Sequence, residues 1–386
     1  MKHRNLILIS LVFIAIQACS PQKASNEDLT QRLSDQLNVL VQATDDSEKL
    51  PRSWTEKDGY KMIGIRDWCS GFPPGMCWYM YELSNDEQWK NTAIKTTEKL
   101  DGVQFYTGTH DLGFMVFCSY GNAYRLTGDE AYKEVILQGA ESLASRFNPV
   151  TGAIRSWDWG KWQFPVIIDN MMNLEMLFWA SKVSGDNRFR DIAVTHANTT
   201  LEHHFRDDMS SYHVVSYDTI TGEVERKQTH QGYSDDSAWA RGQSWGLYGY
   251  IVCYRETGDA KYLKAAEDIA AFIIPNLPED LVPYWDYNDP KIPNVKRDAS
   301  AGALLASAFY ELGTMVEDGQ RYFDLADQLL ETLSSPEYLA EGGANGGFLL
   351  KHSVGHLPGN SEIDVPLNYA DYYYLEAIKR KRELKK

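Results

Sequence analysis

The chain has 386 residues, too many for a small disulfide-stapled fold and enough for two ordinary domains or one large closed architecture. Its net charge of −16 argues against nucleic acid or an anionic membrane as the main partner, although one local Arg or Lys still suffices to hold an acidic small molecule. Aromatic residues make up 12% of the chain, with 11 Trp and 23 Tyr. That composition suits both a large core and a sugar cleft, where ring faces stack on pyranose C–H groups.

The chain opens on Lys2, His3 and Arg4, followed by an apolar run over residues 6–16 that is too short to span a bilayer. "IQAC", ending at Cys19, then resembles a bacterial lipoprotein cleavage site. The expectation is a signal peptide over residues 1–18, acylation of Cys19 and a polar tether over residues 19–28. This would place an exported lipoprotein in the periplasm or at the outer membrane, touching membrane only through its anchor. An ordinary secretory signal is the alternative. Cys69, Cys77, Cys118 and Cys253 show neither CxxC nor Cys/His spacing, so they read as buried free thiols and not as a zinc site.

From residue 29 onward a small pattern recurs: "SNDEQW", "TGDEAY", "SGDNRF", "TGDAKY" and the looser "EDGQRY". Before each copy lies a run that is apolar nearly all round, such as "FMVFCSYGNAYRL". After each lies an amphipathic run with apolar residues at three- and four-residue steps, such as "LKAAEDIAAFII". The unit reads as a buried helix, a tight turn and a surface helix, with Gly suited to ending the first helix and Asp to starting the second. "LTQRLSDQLNVLVQAT" and "YADYYYLEAIKRKREL" supply a sixth pair. The fold class expected is all-α, an (α/α)6 barrel of alternating inner and outer helices forming a single domain over residues 29–386. The one β-hairpin expected is "SYHVVSYDTITGEVERKQ", whose alternating residues flank a Thr-Gly turn.

If the inner helices run the same way, their heads meet at one mouth. Those heads carry Asp67, Asp111, Asp169, Asp235 with Asp236, Asp298 and Asp364. An Asp at a helix start is ordinarily a cap that also answers the helix dipole. The same segments, however, carry Trp68, Trp157, His213, Gln231, Trp239, Arg241 and Trp245, and carboxylates mixed with aromatic faces at a concave mouth describe a saccharide site. In "IIDNMMNLEMLFWA" the helix has no wet face, so Asp169 can reach water only at its end. Desolvation and a neighbouring Asp111 would raise its pKa, making it a candidate general acid.

"THDLGF", "IIDNMMNLEMLFWA", "SYHVV", "THQGYSDDSAWARGQSWGLYGY", "VPYWDY", "RDASA" and "DYYYLEA" resemble, in the same order and over residues 60–378, the unsaturated glucuronyl hydrolases of glycoside hydrolase family 88. The resemblance implies an (α/α)6 barrel that removes the 4,5-unsaturated uronic acid which polysaccharide lyases leave at the non-reducing end of oligosaccharides. The bond is broken by hydrating the C4=C5 enol ether, so the two-carboxylate rule for glycosidases does not apply. Asp169 matches the family's general acid/base and Asp111 its second essential Asp. His213, Gln231 and Arg241 match sugar-contacting positions, with Arg241 the candidate to offset the substrate carboxylate. Trp68, Trp157, Trp239 and Trp245 match aromatic positions around the sugar. No metal or organic cofactor is implied. The loop over residues 349–366 looks like the one that shapes the aglycone side, where Ser353, His356 and Ser361, with Lys351 nearby, are candidates to accept a sulfate. Glycosaminoglycan-type disaccharides are the favoured substrates. The alternatives are an unsaturated rhamnogalacturonyl hydrolase of pectin fragments, a non-catalytic glycan-binding lipoprotein, and an ordinary inverting hydrolase or epimerase on the same scaffold.

Overall fold

The computed structural model describes residues 26–384, so the leader, Cys19 and most of the expected tether lie outside the described residues. Helix α1 (Asn26–Thr44) starts ahead of Leu29, and an antiparallel ribbon of β1 (Leu50–Thr55) and β2 (Gly59–Ile63) follows it. Then come α2 (Phe72–Ser84) and α3 (Glu87–Glu98). A π-helical run, Gly113–Gly121, continues into α4 (Asn122–Thr127) and is followed by α5 (Glu130–Ala144). After the short pair β3 (Phe147–Asn148) and β4 (Ala153–Ile154), β5 (Pro165–Ile167) leads into a 3-10 segment, Ile168–Asn173, then α6 (Leu174–Ser184) and α7 (Asn187–His203). Strands β6 (Val214–Tyr217) and β7 (Val224–Gln228) precede α8 (Ala240–Thr257), α9 (Ala260–Asn276), α10 (Ala299–Gly313) and α11 (Gln320–Leu333). A last hairpin, β8 (Ser353–His356) and β9 (Ser361–Val365), feeds α12 (Asn368–Glu383).

In ring order α2, the 113–127 segment, the 168–184 segment, α8, α10 and α12 each pack on the next, and α12 packs back on α2. Outside them α3, α5, α7, α9 and α11 each pack on the inner helix that precedes them, and α1 completes the outer ring beside α2, with Arg382 of α12 donating to Thr30. The architecture is the (α/α)6 barrel expected. Inner helices are apolar all round because both faces are covered: α8 is buried without a break from Ala240 to Cys253. Outer helices bury one stripe, as α9 does with Tyr262, Ala265, Ala266, Ile269, Ala270 and Ile273.

The repeated turn does what its residues suggest in four copies. Asn85, Gly128, Gly185 and Gly258 end the inner helices at φ of 54°, 70°, 77° and 69°, the left-handed region that Gly enters freely and Asn tolerates. Asp86, Asp129, Asp186 and Asp259 then cap the outer helices, each accepting from the backbone N–H two residues on at 2.9–3.1 Å. The following aromatic anchors the outer helix to the inner one, as in the Tyr120–Tyr132 and Phe309–Tyr322 ring pairs, both at 5.8 Å. The fifth copy differs. Gly319, not Asp318, caps α11, because a Cβ there would fall 1.9 Å from the Gly313 carbonyl.

The hairpin expected around the Thr-Gly turn is β6–β7, and β5 joins it to make a three-stranded sheet in the order β5-β6-β7. The ribbons β1–β2, β3–β4 and β8–β9 were not expected. The three-stranded sheet positions the site, since Ile167 pairs with Val214 and Val214 with Gln228. One end of the sheet therefore delivers Asp169 after β5, His213 before β6, and His230 and Gln231 after β7.

Candidate active site

A cavity of about 440 Å³ opens at the heads of the first three inner helices. Asp67, Asp111 and Asp169 all face it, together with Trp68 and Trp157. The wider ring of acids does not form. Asp235 and Asp236 are exposed, with Asp235 accepting the Thr229 N–H. Asp298 caps α10 in a fully buried ion pair with Arg241, and Asp364 is paired with Lys296 and His352. Capping thus accounts for Asp298, pairing for Asp364 and a turn for Asp235.

The polar residues of "IDNMMN" separate by what consumes them. Asn170 accepts from Ser156 Oγ at 2.8 Å and donates to the Ile154 carbonyl at 2.7 Å. Asn173 accepts from the Phe114 N–H at 3.0 Å, tying the third inner helix to the second where Gly113 has no room for a Cβ. Asp169 is left over: it is 7% exposed, and its Oδ2 is buried without a hydrogen-bond partner among the described residues. Burial, and then the Asp111 carboxylate, push its pKa from 3.8 up to about 7, against the pull of Arg241, its own N–H and the Trp245 indole. Its proton is therefore held close to neutral pH. Asp371 is also pushed up to about 7 by burial, yet both of its oxygens accept backbone N–H groups, from Leu349 and Leu350. Asp371 is structural and lies away from the cavity.

Asp111 is oriented by its neighbours. Thr109 Oγ1 donates to Oδ2 at 2.6 Å, and His110 Nε2 lies 3.1 Å from Oδ1, while His110 Nδ1 donates to the Ser156 carbonyl at 3.0 Å. Burial lowers the His110 pKa although Asp111 pulls it upward. His213 is 3% exposed, and its Nε2 lies 3.6 Å from Asp169 Oδ2. Gln231 faces the cavity and donates to the Gly355 carbonyl at 3.1 Å.

Several expected contacts stand behind the wall. Arg241 is 1% exposed and is not among the residues lining the cavity. Its arms are taken by Asp298 at 2.7 Å and by the Val354 and Gly355 carbonyls at 2.6 and 2.7 Å, so it anchors β8 and acts on Asp169 only through its charge. Trp239 is sandwiched between His213, at 4.8 Å, and the Arg241 guanidinium, at 4.4 Å, and Trp245 is buried against Phe114 and Tyr373. Both support the site from behind. Ser353 is fully buried in β8, and Lys351 is tied to the Pro336 carbonyl. His356 and Ser361 do line the cavity.

Other wall residues were not foreseen. Arg52 of β1 grips Glu362 of β9 with two bonds of 2.6 and 2.7 Å and also bonds Asp67, so its charge is spent within the protein. Arg66, exposed at the rim with its guanidinium 5.2 Å from the Tyr106 ring, faces the opening. Trp159 stacks on Trp157 at 4.7 Å and 12°, and His230 meets both rings. The "SWDWGKW" run was the available signal for Trp159. Nothing in "LPRSWT" marks Arg52 in advance. Among the described residues no cluster of His, Cys, Asp and Glu is placed to hold a metal ion. The arrangement can deliver one proton, hold one polar group beside the acid and stack a sugar ring.

No protein-family model matches the chain. It is 44% identical over 392 aligned residues to an unsaturated glucuronyl hydrolase of Formosa agariphila, covering 98% of each chain. It is 32% identical to an unsaturated chondroitin disaccharide hydrolase of Streptococcus pyogenes serotype M1, covering 92% of each. Among solved structures it matches an unsaturated glucuronyl hydrolase specific for heparin, with a TM-score of 0.90, 52% identity, and 92% and 97% of the two chains covered. A barrel with a buried carboxyl at its mouth, similar over nearly its whole length to such enzymes, places this chain in the unsaturated glucuronyl hydrolase family.

Proposed function

We propose that the protein removes the 4,5-unsaturated uronic acid from the non-reducing end of lyase-generated oligosaccharides. The observation that carries the reading is Asp169, a carboxyl at a cavity wall that holds its proton to about pH 7. Asp169 gives that proton to C4, and the π electrons of C4=C5 form the new C–H bond. The positive charge left at C5 is shared with the ring oxygen. Asp169, now a carboxylate, takes a proton from water as the water oxygen bonds to C5. The resulting hemiketal opens to a C5 ketone, and C1, left carrying a hydroxyl and the aglycone oxygen, collapses to an aldehyde and releases the aglycone alcohol. Asp111, held by Thr109, steadies the sugar and keeps Asp169 protonated by like charge. Trp68 and Trp157 supply ring faces, and Arg66 is the cation at the opening that we assign to the acidic substrate.

We further propose a glycosaminoglycan-type aglycone, met by His356 and Ser361 and by the exposed face of Trp159. The support is the similarity to an unsaturated glucuronyl hydrolase specific for heparin and to an unsaturated chondroitin disaccharide hydrolase. The test is a panel of unsaturated disaccharides from heparin, chondroitin and pectin beside their saturated counterparts. Near-ultraviolet absorbance should vanish with the glycosaminoglycan members, and saturated disaccharides should release no aglycone. Turnover of saturated sugars would refute the enol-ether reading. The basic, apolar leader and Cys19 support export and lipid anchoring. Incorporation of labelled palmitate that survives Cys19→Ser would refute this.

A further inference from the structure

We infer that His213 is locked as the Nε2–H tautomer by two consecutive backbone amides and turns a fixed N–H toward Oδ2 of Asp169, where it steadies the carboxylate that forms when Asp169 delivers its proton. This rests on the reading of Asp169 as the general acid. The Nδ1 atom of His213 lies 3.0 Å from the backbone N of His230 and 3.0 Å from that of Gln231. Backbone N–H groups only donate, so Nδ1 is an acceptor twice over and has no place for a proton. The amides themselves are pinned. His356 Nε2 donates to the His230 carbonyl at 2.9 Å, Gln231 Nε2 donates to the Gly355 carbonyl at 3.1 Å, and Thr229 Oγ1 accepts the next N–H, that of Gly232, at 2.7 Å.

The single remaining proton of the ring is on Nε2, which lies 3.6 Å from Asp169 Oδ2. Both atoms are buried, and neither has a hydrogen-bond partner among the described residues. When Asp169 delivers its proton, negative charge develops on a carboxylate that already has the His213 N–H 3.6 Å away, close enough to draw into a hydrogen bond. The interaction therefore strengthens as the reaction proceeds, which is the condition for lowering the barrier. His213 is a positioning residue and exchanges no proton in the cycle.

The charged surroundings agree from every side. His204 at the end of α7, His230 after β7, Arg241 of α8 and His356 of β8 all disfavour a positive His213, and burial does so most. Asp169 is the acidic group opposite.

The direct test is ¹⁵N–¹H correlation spectroscopy of histidine-labelled protein, assigned with His213→Gln. A neutral Nε2–H ring that does not titrate between pH 5 and pH 8 is expected. An Nδ1–H ring, or one that titrates in that range, would overturn the inference, and because no turnover is involved the result is independent of the role of Asp169. Kinetics supply the second readout. His213→Ala should lower kcat about 100-fold with KM little changed, and His213→Gln, which restores an N–H, should recover at least about tenfold of that loss. A Gln variant as slow as the Ala variant would overturn the donor role.

Discussion

Replacing Asp169 with Asn separates stability from activity in a way that depends on pH. In the folded protein the Asp169 carboxyl keeps its proton up to about pH 7, whereas in the unfolded chain it loses it near 3.8. The folded state therefore binds more protons between those values, and stability falls as pH rises through that window, with the full cost present above pH 7. Linkage puts that cost at about 4 kcal/mol, of which about 3 kcal/mol accrues between pH 5 and pH 8. Asp169→Asn removes the titrating group and hence the pH-dependent cost. The buried amide carries its own penalty of about 1–3 kcal/mol where it lacks partners, but that penalty does not change with pH. The assay is thermal unfolding of both proteins at pH 5, 6, 7 and 8. The Tm of the variant relative to the parent should climb across the series by on the order of 4 °C for a domain of this size. At the same time kcat should fall at least about 100-fold. A Tm difference that stays flat from pH 5 to pH 8 would mean that Asp169 is ionised throughout, and the reasoning about its proton would fail.

Asp111→Asn removes the like charge, so the alkaline limb of kcat/KM for the residual activity should move to lower pH; an unmoved limb would show that burial alone holds the proton. Arg241→Ala strands the buried Asp298 carboxylate and should cost about 3–5 kcal/mol in denaturant unfolding, and a fully stable variant with only a raised KM would instead make Arg241 a substrate clamp. Arg52→Ala releases Glu362 and loosens the β8–β9 hairpin that bears His356 and Ser361. KM should rise several-fold with kcat largely kept, and a double-mutant cycle with Glu362→Gln should show strong coupling; additive effects would contradict the clasp.

The barrel was legible because each unit repeats one physical instruction. A residue able to enter the left-handed region ends the inner helix, an Asp caps the outer one, and an aromatic ties the two together. The fifth turn broke the pattern for a reason invisible in sequence, the close approach of Gly319 to the Gly313 carbonyl. Asp169 was legible because nothing else in an apolar helix could use it. The carboxylates at the last three heads were over-read, since a cap such as Asp298 and a catalytic acid look alike until partners are known. Arg241, Trp239 and Trp245 sit in the motif segments that build the site, yet they act from behind its wall. Motif membership reports that a position matters to the site, and only packing tells whether it touches the cavity. Arg52 and Glu362 were missed because their pairing joins strands far apart in sequence, which local patterns do not record.

The most direct test of the central claim is the reaction of an unsaturated glycosaminoglycan disaccharide in D₂O, with the product followed by proton NMR. Asp169 exchanges its proton with solvent, so initial product should carry a single deuterium at C4 on one face only, and the alkene signal should be lost in step with aglycone release. Release of an aglycone from a sugar that keeps its C4=C5 bond, with no deuterium at C4, would contradict the account.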